Sequence, residues 1–189
     1  MTINISCVNW PEQFPYCPLT SVDIDNDKEY LYLHYHVEGK QLRALALNDQ
    51  EPVWEDSCVE FFCRVPGDDR YMNIETNCIG TVVASRRLSR NDDVRPLLPD
   101  ELQSIRRRTS LPHERIDERD GDFSWDVELD IPLTLIFGGQ PLCFPLTLMA
   151  NFYKCADKTK LPHFVSWQPI DLPKPDFHCP QFFAPVELH

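Results

Sequence analysis

The sequence predicts an all-β fold: an antiparallel β-sandwich of jelly-roll or immunoglobulin-like layers, with long ordered loops and little helix. Three observations carry that expectation. Apolar and polar residues alternate with a period of two in several segments, the mark of a strand with one face in a core. The 17 prolines against 6 glycines interrupt helices and favour short strands joined by ordered connectors. No long stretch repeats apolar residues at helical spacing, which leaves sheet packed on sheet.

The elements follow in chain order. DIDNDKE, ending at Glu29, reads as a polar turn rich in Asp and Asn. YLYLHYHVEG (Tyr30 to Gly39) alternates Leu31, Leu33, Tyr35 and Val37 against Tyr32, His34, His36 and Glu38. SCVEFFCRV (Ser57 to Val65) reads as a buried strand that stops at Pro66 and Gly67. The turn PGDDR then leads into YMNIETNCIGTVVAS, its antiparallel partner. A helix is expected over residues 98–107, started by Pro99 and Asp100. FSWDVELDIP (Phe123 to Pro132) is a strand, and LTLIFGG (Leu133 to Gly139) one short turn ended by glycines. PLTLMANFYKC and HFVSW are strands, and FHCPQFFAPVEL closes the chain. No repeat or low-complexity linker divides the 189 residues, so one domain over residues 1–189 is expected.

A net charge of −12 argues against nucleic acid, which needs a clustered basic surface. Nine of the 18 Lys and Arg residues are nevertheless arginines between Arg86 and Arg119, mixed with acids. That pattern reads as a salt-bridged loop region from which one or two arginines reach a ligand site. No apolar run approaches the ~20 residues of a membrane-spanning helix. MTINISCVNW lacks the basic and apolar regions of a leader, so a cytoplasmic location is expected, or a secreted or periplasmic one if a leader was removed. The eight cysteines form no CxxC pair, which argues against structural zinc. Most of them read as small buried hydrophobes in strands, and a reducing compartment is favoured.

Alternation sorts the polar residues. Glu60 shares a strand face with Cys58 and Phe62, and Tyr71, Asn73, Glu75, Asn77 and Ile79 share a face on the next segment. If the strands pair, Glu60 lies near Glu75 or Asn77, a set of acceptors and amide donors suited to sugar hydroxyls. A plain solvent-facing strand fits the same pattern. So does a glycosidase that uses Glu60 with Glu75 or Asp56, whose carboxyl separation the sequence does not measure. His34 and His36 have metal-ligand spacing on one strand face, yet no third ligand follows, so they read as outward-facing polar residues. Trp125 sits in a cleanly alternating strand and reads as core. Trp54 and Trp167 flank strand ends, where an indole either stacks on a sugar ring or caps the sandwich.

Four segments in order resemble the family 9 carbohydrate-binding modules: VWEDSCVEFF, YMNIETNCIGTVVAS, FSWDVELDIPL, and MANFYKCADK followed by HFVSWQPI and PDFHCPQFFAPVEL. The resemblance spans roughly residues 15 to 188. It implies a β-sandwich that binds a mono- or disaccharide or a glucan or xylan chain end between two Trp side chains, without catalysis. Trp54 and Trp167 match the clamp residues, and Glu60, six positions after the first, matches the strand acid that hydrogen-bonds sugar hydroxyls. Asn77 and Arg86, or Arg87 beside it, are further expected contacts. Phe164 stands where binding members carry an asparagine. Family members commonly hold structural calcium, for which the spacing of Asp23, Asp25 and Asp27 is the candidate here. The resemblance also implies a carbohydrate ligand and a glycoside hydrolase partner; a monomer is expected, with no further cofactor and, from charge and apolar runs, no nucleic acid and no membrane.

Overall fold

The computed structural model describes residues 1–139 and 141–189. The chain forms β1 (Thr2–Asn4), β2 (Cys7–Val8), β3 (Leu19–Asn26) and the long β4 (Tyr30–Ala44). A 3₁₀ turn at Val53–Glu55 precedes β5 (Cys58–Arg64), β6 (Tyr71–Asn77), β7 (Val82–Arg87) and β8 (Arg95–Pro96). Then come α1 (Pro99–Ser104), β9 (Arg106–Thr109), β10 (Ile116–Pro132) and α2 (Leu133–Phe137). β11 (Leu146–Cys155), β12 (Phe164–Ser166), a second 3₁₀ turn at Pro180–Phe182 and β13 (Ala184–Leu188) complete it.

Two antiparallel sheets result. One is ordered β1-β3-β4-β10-β9; the other is ordered β2-β12-β11-β5-β6-β7-β8, with β13 alongside β11. The sandwich the alternation predicts is therefore present. β4 turns Leu31, Leu33, Tyr35 and Val37 inward, and β10 sets Trp125, Val127, Leu129 and Ile131 beside them in register. Val59, Phe61, Ile74 and Phe152 meet them from the facing sheet. Phe61 and Phe152 stack at 5.2 Å. Each large side chain so buried stabilises the fold by about 1.5–3 kcal/mol.

The second sheet is buried on its outer face as well. There Cys58, Phe62, Tyr71, Tyr153 and Cys155 form a smaller core with Trp10, Ile170, Phe177 and Phe183. The cover is the chain after β12, an extended strap that crosses the sheet before β13. Trp10 ties the N-terminal segment to it by donating its indole N–H to the Leu172 carbonyl at 2.7 Å. The solvent-facing reading of β5 and β6 is corrected by this cover: Glu60, Asn73, Glu75 and Asn77 are all at most 4% exposed.

Other boundaries moved for local reasons. DIDNDKE is strand up to Asn26, because Val22 and Ile24 point into the core, and only its end turns. There Asp27 Oδ1 accepts the Glu29 and Tyr30 N–H groups, both at 2.7 Å. YMNIETNCIGTVVAS is not one strand but a hairpin of β6 and β7. Its bend uses Gly80 at φ +88°, a conformation costly for a residue with a Cβ. The helix expected over 98–107 ends at Ser104, since Arg106 joins β9 and pairs with β10. The arginine-rich region is likewise partly strand, and it is laced with ion pairs such as Arg86–Glu101 and Arg107–Asp49.

Candidate functional site

A cavity of about 380 Å³ opens where the strap and the outer face of the second sheet part. Its floor comes from Glu60 on β5, Glu75 on β6, Val83 on β7 and Cys155 on β11. Trp54, Asp157 and Phe164 form one wall, and Pro175 to His178 of the strap form the other. Arg87, Arg90 and Asn91 edge it.

Trp54 is held by its backbone and free at its ring. Val53 is fully buried and anchors the 3₁₀ turn, while the Trp54 carbonyl accepts the Asp157 N–H at 3.0 Å. Trp54 is 38% exposed and lines the cavity, where an indole offers a flat apolar face to a partner. Trp167 lies elsewhere. Its ring packs against Phe152 at 5.8 Å, on the side of the core between the sheets, and it does not line the cavity. Strand alternation explains the split: β12 turns Phe164 to the cavity and Val165 to the central core.

Glu60 stands directly opposite Glu75 across β5 and β6. Burial pushes the Glu60 carboxyl well above its ordinary range, and the neighbouring Glu75 charge adds to the rise. Burial raises Glu75 to about 7, opposed by the Arg87 guanidinium and by the Asn73 amide, which donates to it at 2.9 Å. Asn73 accepts in turn from Ser85 at 2.6 Å, and Ser85 from Arg87 at 2.9 Å. That polar chain holds the floor. Burial and the Glu55 charge lift Asp157 to about 6. At the strap, burial and the nearby Arg87 and Arg90 charges depress His178 to about 3. Its Nδ1 is 2.9 Å from the Tyr71 hydroxyl. Arg90 pairs with Asp176 at 3.1 Å.

Of the residues singled out in the sequence, the cavity therefore brings together Trp54, Glu60, Glu75 and Arg87. Asn77 is not among its lining residues. It is fully buried, donating to Ala46 O and Asp56 and accepting from the Ile79 and Thr81 N–H groups. Asp56 is also structural, accepting the Leu45 and Ala46 N–H groups at 3.0 Å, which removes it as a partner for Glu60. Arg86 points away, to Glu101 at 3.0 Å and the Leu135 carbonyl at 2.8 Å. Arg90, Asp157 and His178 were missed, because they lie in connectors without periodicity.

The aspartates proposed for calcium do not fit a shared ion. Asp23 accepts from Thr2 at 2.5 Å and Asp25 from the Asn26 N–H at 2.8 Å, while Asp27 serves its own turn. Among the described residues, the one group of three or more ligating side chains that converges is Cys58, Glu60 and Cys155.

This architecture agrees with the comparisons. The model of carbohydrate-binding family 9 matches residues 1–188, and the chain belongs to that family. A solved protein from Bacteroides uniformis, provisionally described as carbohydrate-binding, is 38% identical, with a TM-score of 0.93 over 100% of this chain and 86% of that one. A family 9 module from Caldicellulosiruptor kristjanssonii in complex with glucose shares the fold at 12% identity and a TM-score of 0.61, over 99% of this chain and 83% of that one. A second from the same organism, with cellotriose, has 9% identity and a TM-score of 0.54, over 92% and 76%. No curated protein matches.

Proposed function

We propose that this family 9 module binds sugar non-catalytically in the cleft beside Trp54, taking a mono- or disaccharide or the end of a glucan or xylan chain. One observation carries the reading: a half-exposed indole stands beside a floor of paired carboxyls, with two guanidinium groups at the edge. Sugar C–H faces dock on indole, and sugar hydroxyls both donate and accept, so they engage Glu60, Glu75, Arg87 and Arg90 together. Solved relatives that hold glucose and cellotriose support gluco-configured ligands. A second stacking surface falls to Phe164 or Phe177 rather than Trp167. The module serves a glycoside hydrolase partner in this reading.

Titration with glucose, cellobiose, cellotriose and xylobiose tests it. Weak saturable binding by calorimetry, with a change in tryptophan emission that Trp54→Ala abolishes, is the expected result. Silence of the native protein in both measurements overturns it.

A second reading, glycoside hydrolysis, is favoured by the Glu60–Glu75 pair, because two carboxyls in unequal environments suit acid–base division. Turnover of aryl-glycosides that Glu60→Gln eliminates while sugar binding persists would replace the first reading.

A further inference from the structure

At the cleft floor Glu60 also belongs to a second donor set, one completed by two cysteines. Cys58 and Glu60 are two apart on β5 and so share a face, and Cys155 on β11 pairs directly opposite Cys58. The two sulfurs and a Glu60 oxygen all lie within 4.8 Å of one another. Cys155 Sγ is 3.0 Å from Glu60 Oε1. All three residues are buried, yet Glu60 and Cys155 reach the cavity, which supplies an entry path.

We propose that Cys58, Cys155 and Glu60 form a binding site for a thiophilic d10 dication, Zn²⁺ or Cd²⁺, with its fourth position turned to the cavity. Tetrahedral zinc takes sulfur at about 2.3 Å and carboxylate oxygen at about 2.0–2.2 Å, which sets its donors about 3–4 Å apart. The observed spacing therefore needs only small side-chain adjustments. Two thiolates select a soft or borderline cation over magnesium or calcium. No electron transfer is involved. Two metal–sulfur bonds and one metal–oxygen bond form, and each protonated donor releases its proton to buffer. The cysteines are 97 positions apart in the chain, so no short motif announces them; strand pairing alone brings them together. The metal site shares Glu60 with the sugar reading, but its test is separable, because the metal is titrated without sugar.

The test is titration of the intact chain with Cd²⁺, reading the ultraviolet thiolate-to-metal charge-transfer band, followed by X-ray absorption of the loaded protein. One Cd²⁺ per chain, with two sulfur neighbours and at least one oxygen, is expected. The band should survive the double change Cys17→Ser and Cys143→Ser, which removes the exposed thiols. Cys155→Ser and Glu60→Gln should each weaken binding at least tenfold. No band in the intact chain, neighbours that are all oxygen or nitrogen, loss of the band in the Cys17/Cys143 variant, or undiminished affinity in a folded Cys155→Ser protein would each overturn the site. Should Cys155→Ser not fold, the sulfur count in the intact chain and the exposed-thiol variant still decide the matter.

Discussion

Glu60 and Glu75 face each other across adjacent strands, both buried, with the Arg90 charge acting on both and the Arg87 guanidinium on Glu75. Like charges set directly opposite on a sheet destabilise it, so the fold keeps this pair at a cost that rises as the carboxyls ionise. Glu75 is raised to about 7 in the folded protein, against about 4.3 when unfolded. Between those values the unfolded chain holds fewer protons, so stability falls as pH rises through about 7. Glu75→Gln keeps an acceptor for Asn73 and cannot ionise. Urea unfolding should show it more stable than the native protein at pH 8, by at least about 1 kcal/mol, and closer to parity at pH 5. An equal difference at both pH values would contradict this.

His178 titrates the other way. Its folded value is about 3 and its unfolded value about 6.5, so its contribution is complete above about pH 6.5 and declines as pH falls toward 3. The slope has a ceiling of about 1.4 kcal/mol per pH unit. His178→Gln should therefore lose less stability than the native protein between pH 6.5 and 4, as followed by denaturant midpoints.

Asn77 has a structural task that substitution should expose. Four hydrogen bonds join its amide to the Ala46 carbonyl, to Asp56 and to the backbone of the bend at Gly80. Asn77→Ala strands several of those groups in the interior, at about 1–3 kcal/mol each for a buried unsatisfied group. A loss of at least about 3 kcal/mol is expected by chemical denaturation.

The two tryptophans should separate binding from stability. Trp167 packs on the central core, so Trp167→Ala should cost about 3 kcal/mol or more of stability while sugar affinity stays within about twofold. Calorimetry on the folded variant reads the second quantity. A tenfold loss of affinity would place Trp167 in recognition after all.

The strands were legible because their alternation records a buried and an outer face, as in Leu31 to Val37 and Trp125 to Ile131. The burial of β5 was legible in its apolar run, but that of β6 was not, because a polar row of Asn73, Glu75 and Asn77 looks the same under a covering strap as in water. Glu60 and Trp54 could be picked out from pattern and resemblance. Trp167 follows the alternation of HFVSW, two residues beyond Val165 and so on its core side, whereas the resemblance pointed to the cleft. Arg87 rather than Arg86 reaches the cleft for the simplest reason: adjacent residues on β7 point to opposite faces.

The strap over the second sheet has a consequence for how such modules diverge. It forms one entire wall of the cleft through Pro175 to His178, yet it contributes little to the pairing that holds the sheets together. The floor of the cleft thus belongs to the paired strands, and one wall to a segment outside that pairing. Exchanging residues 171–178 between relatives would reshape that wall without touching a strand pair, provided Phe177 keeps its stack on Tyr153.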